Sequence, residues 1–288
     1  MKPGQFTYHA PATVDEAVKM LNAYAMLDGR VIAGGQSLVP AMALRLAQPA
    51  HLVDINGVAG LDHLEVAGDE LVIGACVRHC AFEGPVVAGP LGVLLATVAH
   101  DIAHYPIRTR GTFCGSIAHA DPASEWCLVA ATLGARMIAR SVRGSRELSE
   151  PGFFQGMMST ALAVDELLVE TRLPLLATDT RCGFNEFNRR AGDFAIAMAL
   201  ATYRLQDGVI VGPRLGIGAV EAAPRRIAAA EAVLAGQKPT AALFEAAASA
   251  AVRDVDPLDQ DVELAAYKRD VVHAVVKRAL TMAEGTHE

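Results

Sequence analysis

The chain has 288 residues, of which 52% are hydrophobic and 20% charged, with a formal net charge of −7; this supplies apolar surface for a real core and leaves no compositional case for disorder. The acidic balance, with basic residues scattered as isolated pairs such as Arg189-Arg190 and Arg225-Arg226, opposes a nucleic-acid partner. Residues 1–6 carry no apolar signal stretch and no run approaches the about 18 apolar residues of a membrane helix, so a cytoplasmic protein of two closely packed domains is expected.

Thr13 precedes Val14, Asp15 and Glu16, giving a capping hydroxyl and first-turn acids, and the apolar positions 14, 17, 18 and 21 share one helical face. The spacing predicts an opening helix. Short β-branched runs at 30–32, 51–55 and 71–73, bounded by Gly or Asp, read as strands. Apolar residues at helical spacing over 91–103 predict a second helix, closed by Pro106 and Gly111 and followed by a loop. A third helix is predicted over 123–133, with Pro122 ahead of it and Gly134 as its stop. Strands follow at 136–139 and 165–174, the last of the first half.

Residues 175–181 form the candidate boundary, giving a domain over 1–176 and a second over 177–288. In the second, 195–205 ends at Asp207-Gly208, a strong hairpin turn, and runs at 209–211 and 214–220 follow. A small three-stranded antiparallel sheet is predicted, then three Ala-rich helices near 225–235, 240–253 and 262–283. Sheet followed by helices is an α+β arrangement.

The five cysteines, Cys76, Cys80, Cys114, Cys127 and Cys182, contain no Cys-x-x-Cys pair, which argues against a zinc or iron–sulfur site held by this chain alone. They read as reduced core thiols.

Two segments carry candidate chemistry. Ala33, Gly34, Gly35, Gln36 and Ser37 follow a strand, and the missing side chains let main-chain amides approach an anion closely. Gln36 and Ser37 add neutral donors. The same glycines also serve an ordinary chain reversal. Thr112, Phe113, Cys114, Gly115 and Ser116 again combine small residues with hydroxyls, and this segment leads towards a helix start, where negative charge is favoured. Neither fits Gly-x-Gly-x-x-Gly or the P-loop.

Together with Ile117 to Pro122, with Asp165-Glu166-Leu167-Leu168 ahead of Leu173-Pro174, and with Phe184 to Ala195, these segments resemble the FAD-binding subunit of the xanthine oxidase and carbon monoxide dehydrogenase family. The resemblance covers nearly the whole chain. It implies a two-part FAD-binding domain of the vanillyl-alcohol-oxidase/PCMH type, followed by the small sheet and helices. It further implies that residues 33–37 and 112–116 wrap the FAD pyrophosphate through main-chain amides, and that Glu125 binds the adenosine ribose hydroxyls, a diol suited to a carboxylate acceptor. Asp121 joins the cofactor-binding set, Leu168 falls at the adenine end and Phe194 near the isoalloxazine.

Cys114 departs from the family by standing where glycine is usual, so a side chain must fit beside the phosphate-binding backbone. By the resemblance, the chain is the flavoprotein of a molybdenum hydroxylase, with a small subunit holding two [2Fe–2S] clusters and a large molybdopterin subunit, as a dimer of heterotrimers. Electrons would pass from the clusters through FAD to an external acceptor, and this chain would hold no metal and no substrate-binding catalytic group. The alternatives are a non-catalytic FAD or nucleotide-binding assembly module and a self-sufficient flavin oxidase.

Other residues have ordinary readings. His119 beside Asp121, and His100 with His104, read as structural hydrogen-bonding groups because neither pair has a third ligand or a nucleophile. Trp126 reads as core, and the C-terminal helices as packing on their own sheet.

Overall fold

The computed structural model of the chain describes residues 2–285. Its first unit contains β1 (Thr7–His9), α1 (Val14–Tyr24), β2 (Gly29–Ile32), α2 (Leu38–Ala43) and β3 (His51–Asp54), with the strands in a parallel sheet ordered β1-β3-β2. Thr13 caps α1 reciprocally. Its hydroxyl accepts from the Glu16 amide at 3.2 Å, and the Glu16 carboxylate accepts from the Thr13 amide at 3.2 Å. The face made by Ala17, Val18 and Leu21 is buried.

A second sheet is antiparallel, built from β4 (Leu64–Ala67), β5 (Glu70–Gly74), β6 (Arg136–Ser141), β7 (Gly144–Ser149) and β10 (Leu167–Pro174) in the order β4-β5-β10-β6-β7. Between β5 and β6 the chain forms α3 (Pro90–Asp101), α4 (Tyr105–Arg108), α5 (Phe113–His119) and α6 (Glu125–Leu133). The loop expected after residue 103 therefore contains two short helices. Residues β8 (Phe154–Gly156) and β9 (Ser159–Thr160) pair as a separate ribbon.

The remaining strands are β11 (Arg181–Phe187), β12 (Ala197–Gln206), β13 (Val209–Gly218) and β14 (Arg225–Arg226), antiparallel in that order. The sheet has four strands where three were expected, because β11 and the two-residue edge Arg225-Arg226 both add to the expected runs. The runs at 209–211 and 214–220 join into one strand. A register shift against β12 between Thr202 and Arg204 accommodates Gly212-Pro213, since proline is tolerated where the ladder is interrupted. Asp207 and Gly208 both take positive φ, 51° and 75°, the geometry of the expected hairpin turn. α7 (Ala228–Leu234), α8 (Ala241–Asp254) and α9 (Val262–Gly285) complete the chain.

Both faces of β12 are buried. Met198 and Leu200 join the core of the first sheets and α6, while Ala197, Ala199, Ala201 and Tyr203 face a second core with α8 and α9. Every residue of α6 is buried, including Trp126, so it is apolar almost all round. That helix sits between the five-stranded sheet and the C-terminal sheet, and it fixes the segment before it at their junction.

Candidate functional site

The two glycine segments lie far apart in sequence and meet in space. A Cβ on Gly34 would overlap the carbonyl oxygen of Arg110 and lie 2.6 Å from the Gly111 Cα, so only glycine permits this approach. Gly35 takes φ +71°, which turns the chain into α2. The amides of Gly34, Gly35, Gln36 and Ser37 donate to no group of the chain among the described residues. Residues 34–36 are half-buried and Ser37 is exposed, so this cluster of amides is open to an outside acceptor and makes the turn a candidate binding surface.

The second segment is anchored from the turn after β5. The His79 amide donates to Gly111 O at 3.0 Å, the Phe113 amide to Val77 O at 3.0 Å, and Arg78 bridges to Thr112. Thr112 caps α5, its hydroxyl accepting from the Gly115 amide at 3.0 Å. Beneath Gly111 lies the buried His79 ring, whose Nδ1 accepts from Trp126 Nε1 at 3.0 Å. Burial, reinforced by the charges of Arg78 and Arg108, pushes the His79 pKa down to about 4, so the ring is a neutral prop whose proton sits on Nε2.

Cys114 is turned away from this surface. Its Sγ lies 3.4 Å from Ile73 O and 3.3 Å from Thr171 Oγ1, and burial pushes the thiol up to about 12. Only its main chain faces the loop, so the side chain does not compete for space beside the cradle. Ser116 is half-buried in α5. Asp121 forms a local turn, Oδ1 accepting from the Ala123 amide at 2.9 Å.

Glu125 opens α6, buried at 8% exposure, and burial pushes its carboxyl up to about 7. Glu186 in β11 is pushed to about 8, by burial first and then by the charges of Glu125 and Asp101. Its Oε1 accepts from Asn188 Nδ2 at 2.8 Å while its Oε2 is buried without a partner. Glu186, Asn188 and Gly192 line a pocket of about 400 Å³ together with His100, Asp101 and His104. A side chain at Gly192 would collide with the His104 ring, so the 188–196 connection rests on the segment that leads to the second loop. Phe194 sits on that connection, 71% exposed. Leu168 is buried in β10 beside a register shift and belongs to the core. Asp165 and Glu166 of the same motif serve structure: they pair with Arg143 and Arg146.

Residues 4–176 match the family described as the FAD binding domain in molybdopterin dehydrogenase, and residues 183–283 match the CO dehydrogenase flavoprotein C-terminal domain. The chain belongs to the FAD-binding medium subunits of molybdenum hydroxylases. The medium chain of carbon monoxide dehydrogenase from Hydrogenophaga pseudoflava is 34% identical to it, over 98% of both chains. The nicotine 6-hydroxylase medium subunit of Paenarthrobacter nicotinovorans is 35% identical over 98% of this chain and 99% of its own. A solved structure of the Hydrogenophaga pseudoflava carbon monoxide dehydrogenase superposes with a TM-score of 0.93 at 36% identity, covering 99% of each chain. As a medium subunit the chain is part of an oxidoreductase and carries an FAD-binding domain. Its described residues contain no helix long and apolar enough to cross a membrane.

Asn56, Arg78 and His79 escaped the sequence reading. Each acts on a loop at least 20 residues away, and the sequence around them, Ile55-Asn56-Gly57 and Val77-Arg78-His79, has no spacing that marks a site.

Proposed function

We propose that this medium subunit holds one FAD with residues 33–37 and 112–116 and passes electrons from the [2Fe–2S] clusters of a small subunit to an external acceptor. A large molybdopterin subunit would hydroxylate the organic substrate, within a cytoplasmic dimer of heterotrimers. The observation that carries the cofactor assignment is the backbone contact of Gly34 with Arg110 and Gly111, which sets the unpaired main-chain amides of residues 34–37 against the second loop. Those donors suit a diphosphate. When bound, the flavin supplies the one- and two-electron chemistry, and this chain's residues bind, orient and shield it.

Within that reading, Ala33, Gly34, Gly35, Gln36 and Ser37 face the diphosphate with Thr112, Gly115, Ser116 and the Cys114 main chain. Glu125 accepts from the ribose diol, with Asp121 holding the turn before it. Phe194 covers an isoalloxazine face, and Leu168 supports the adenine end from within the core. Residues 1–176 form the flavin domain and 177–288 supply the connection carrying Phe194.

The test is spectroscopic. The purified chain should show a flavin band that bleaches under dithionite and recovers with an acceptor, and in the assembled complex the large subunit's substrate should bleach it. Turnover of an organic substrate by this chain alone would contradict the subunit assignment.

A further inference from the structure

We propose that Arg78, which lies in neither loop, is the positioning residue of the FAD cradle: it fixes the spacing of the two loops and supplies the cradle's cation. The inference rests on reading the loops as the FAD site. One guanidinium nitrogen of Arg78 donates to Arg110 O, the carbonyl pressed against Gly34, and the other donates to Asn56 Oδ1 at 2.6 Å. Asn56 Nδ2 in turn donates to Ala33 O at 2.7 Å. The path Ala33–Asn56–Arg78–Arg110 is therefore a side-chain strap from one glycine loop to the other. Asp54 holds its middle, with Oδ1 accepting from the Asn56 amide at 2.9 Å and Oδ2 from Tyr8 at 2.6 Å.

The strap also sets polarity. A carbonyl oxygen left bare in a diphosphate site would repel the ligand. Ala33 O is taken by Asn56, Gly34 O by Gln36 Nε2 at 3.0 Å, and Arg110 O by Arg78, whereas the amides of residues 34–37 have no acceptor in the chain. These three carbonyls are occupied while the amides of the first loop are open, so that loop presents a donor surface to an anion. Arg78 brings charge as well. Arg78 has no direct carboxylate partner among the described residues, and Asp54 reaches it only through Asn56. A fork-shaped guanidinium is needed to span both acceptors, and a lysine ammonium in its place would keep the charge without the span.

The full chain, stripped of flavin, tests this by titration with FAD and with ADP. Arg78→Gln should weaken both ligands about tenfold to a hundredfold, the scale of losing a charged hydrogen-bonding partner, and the deficit should shrink at high salt. Arg78→Lys should recover the salt dependence but only part of the affinity, and Asn56→Ala should weaken both ligands without changing that dependence. FAD and ADP affinities within twofold of wild type in Arg78→Gln, in a chain of unchanged circular dichroism, would overturn the proposal. Equal losses in Arg78→Gln and Arg78→Lys with no difference in salt dependence would remove the charge from it. A wild-type chain that takes up no FAD would instead overturn the reading beneath it.

Discussion

Gly34 and Arg110, 76 positions apart, meet main chain to main chain, with no room for a methyl group between the Gly34 Cα and the Arg110 carbonyl. That contact separates the roles of two adjacent glycines. Gly34 is required by a neighbouring backbone, which cannot move without displacing the second loop. Gly35 is required by its left-handed φ, and its Cβ would meet only the side chains of Val39 at 3.1 Å and Ile32 at 3.3 Å. Gly34→Ala should therefore part the loops and reduce FAD affinity at least about tenfold, whereas Gly35→Ala should cost about 1–2 kcal/mol of stability with a smaller loss of flavin. Flavin content on purification and thermal denaturation of the stripped chain measure the two effects separately.

Cys114 belongs to the core rather than to the ligand surface. Cys114→Gly should lose its contacts with Ile73 O and Thr171 Oγ1 and lower stability by about 1–2 kcal/mol, with FAD affinity within twofold of wild type. The thiol, held neutral by burial, should also resist iodoacetamide at pH 8 in the folded chain. Loss of FAD at unchanged stability would show that the thiol reaches the ligand.

The acids at the junction of α6 and β11 give the stripped chain an unusual pH response. Glu125 and Glu186 bind protons more tightly folded than unfolded, with folded pKa values raised from 4.5 to about 7 and about 8. The unfolded state therefore holds fewer protons across this window, and stability falls as pH rises from about 4.5, levelling out above about 8. His79, lowered by burial from 6.5 to about 4, acts in the opposite sense and offsets part of this fall up to about pH 6.5, and Asp165 and Glu166, lowered by Arg143 and Arg146, do so only below about pH 4.5. Melting curves from pH 5 to 8 should decline in the wild type and decline less steeply in Glu125→Gln, where the burial of Glu186 still raises its carboxyl. The same substitution should weaken FAD, because an amide replaces the carboxylate proposed for the ribose diol.

Periodic and punctuated features were legible in the sequence: the capped helix at Thr13, the strands stopping at Gly34 and at Asp54, the Asp207-Gly208 turn and the three closing helices. Several strands were missed, β11 among them because residues 175–181 were read as a boundary. β4 and β7 lie at sheet edges with mostly exposed residues, so neither shows apolar alternation, and β1 has only three residues. Helix α5 was hidden by Gly115, and its start is set by Thr112 and by anchors from Val77 to His79 rather than by composition. Both glycine loops were visible as candidates, yet their contact, the Asn56–Arg78 strap and the inward turn of Cys114 depend on partners remote in sequence. No local pattern reports such partners.

The most direct test of the two-loop cradle is titration of FAD into stripped wild-type and Gly34→Ala chains of matched circular dichroism. The account predicts one FAD per wild-type chain, with an affinity at least about tenfold weaker in Gly34→Ala, the scale set by one lost hydrogen-bonding alignment to a charged group. Equal affinity in the two chains would contradict it.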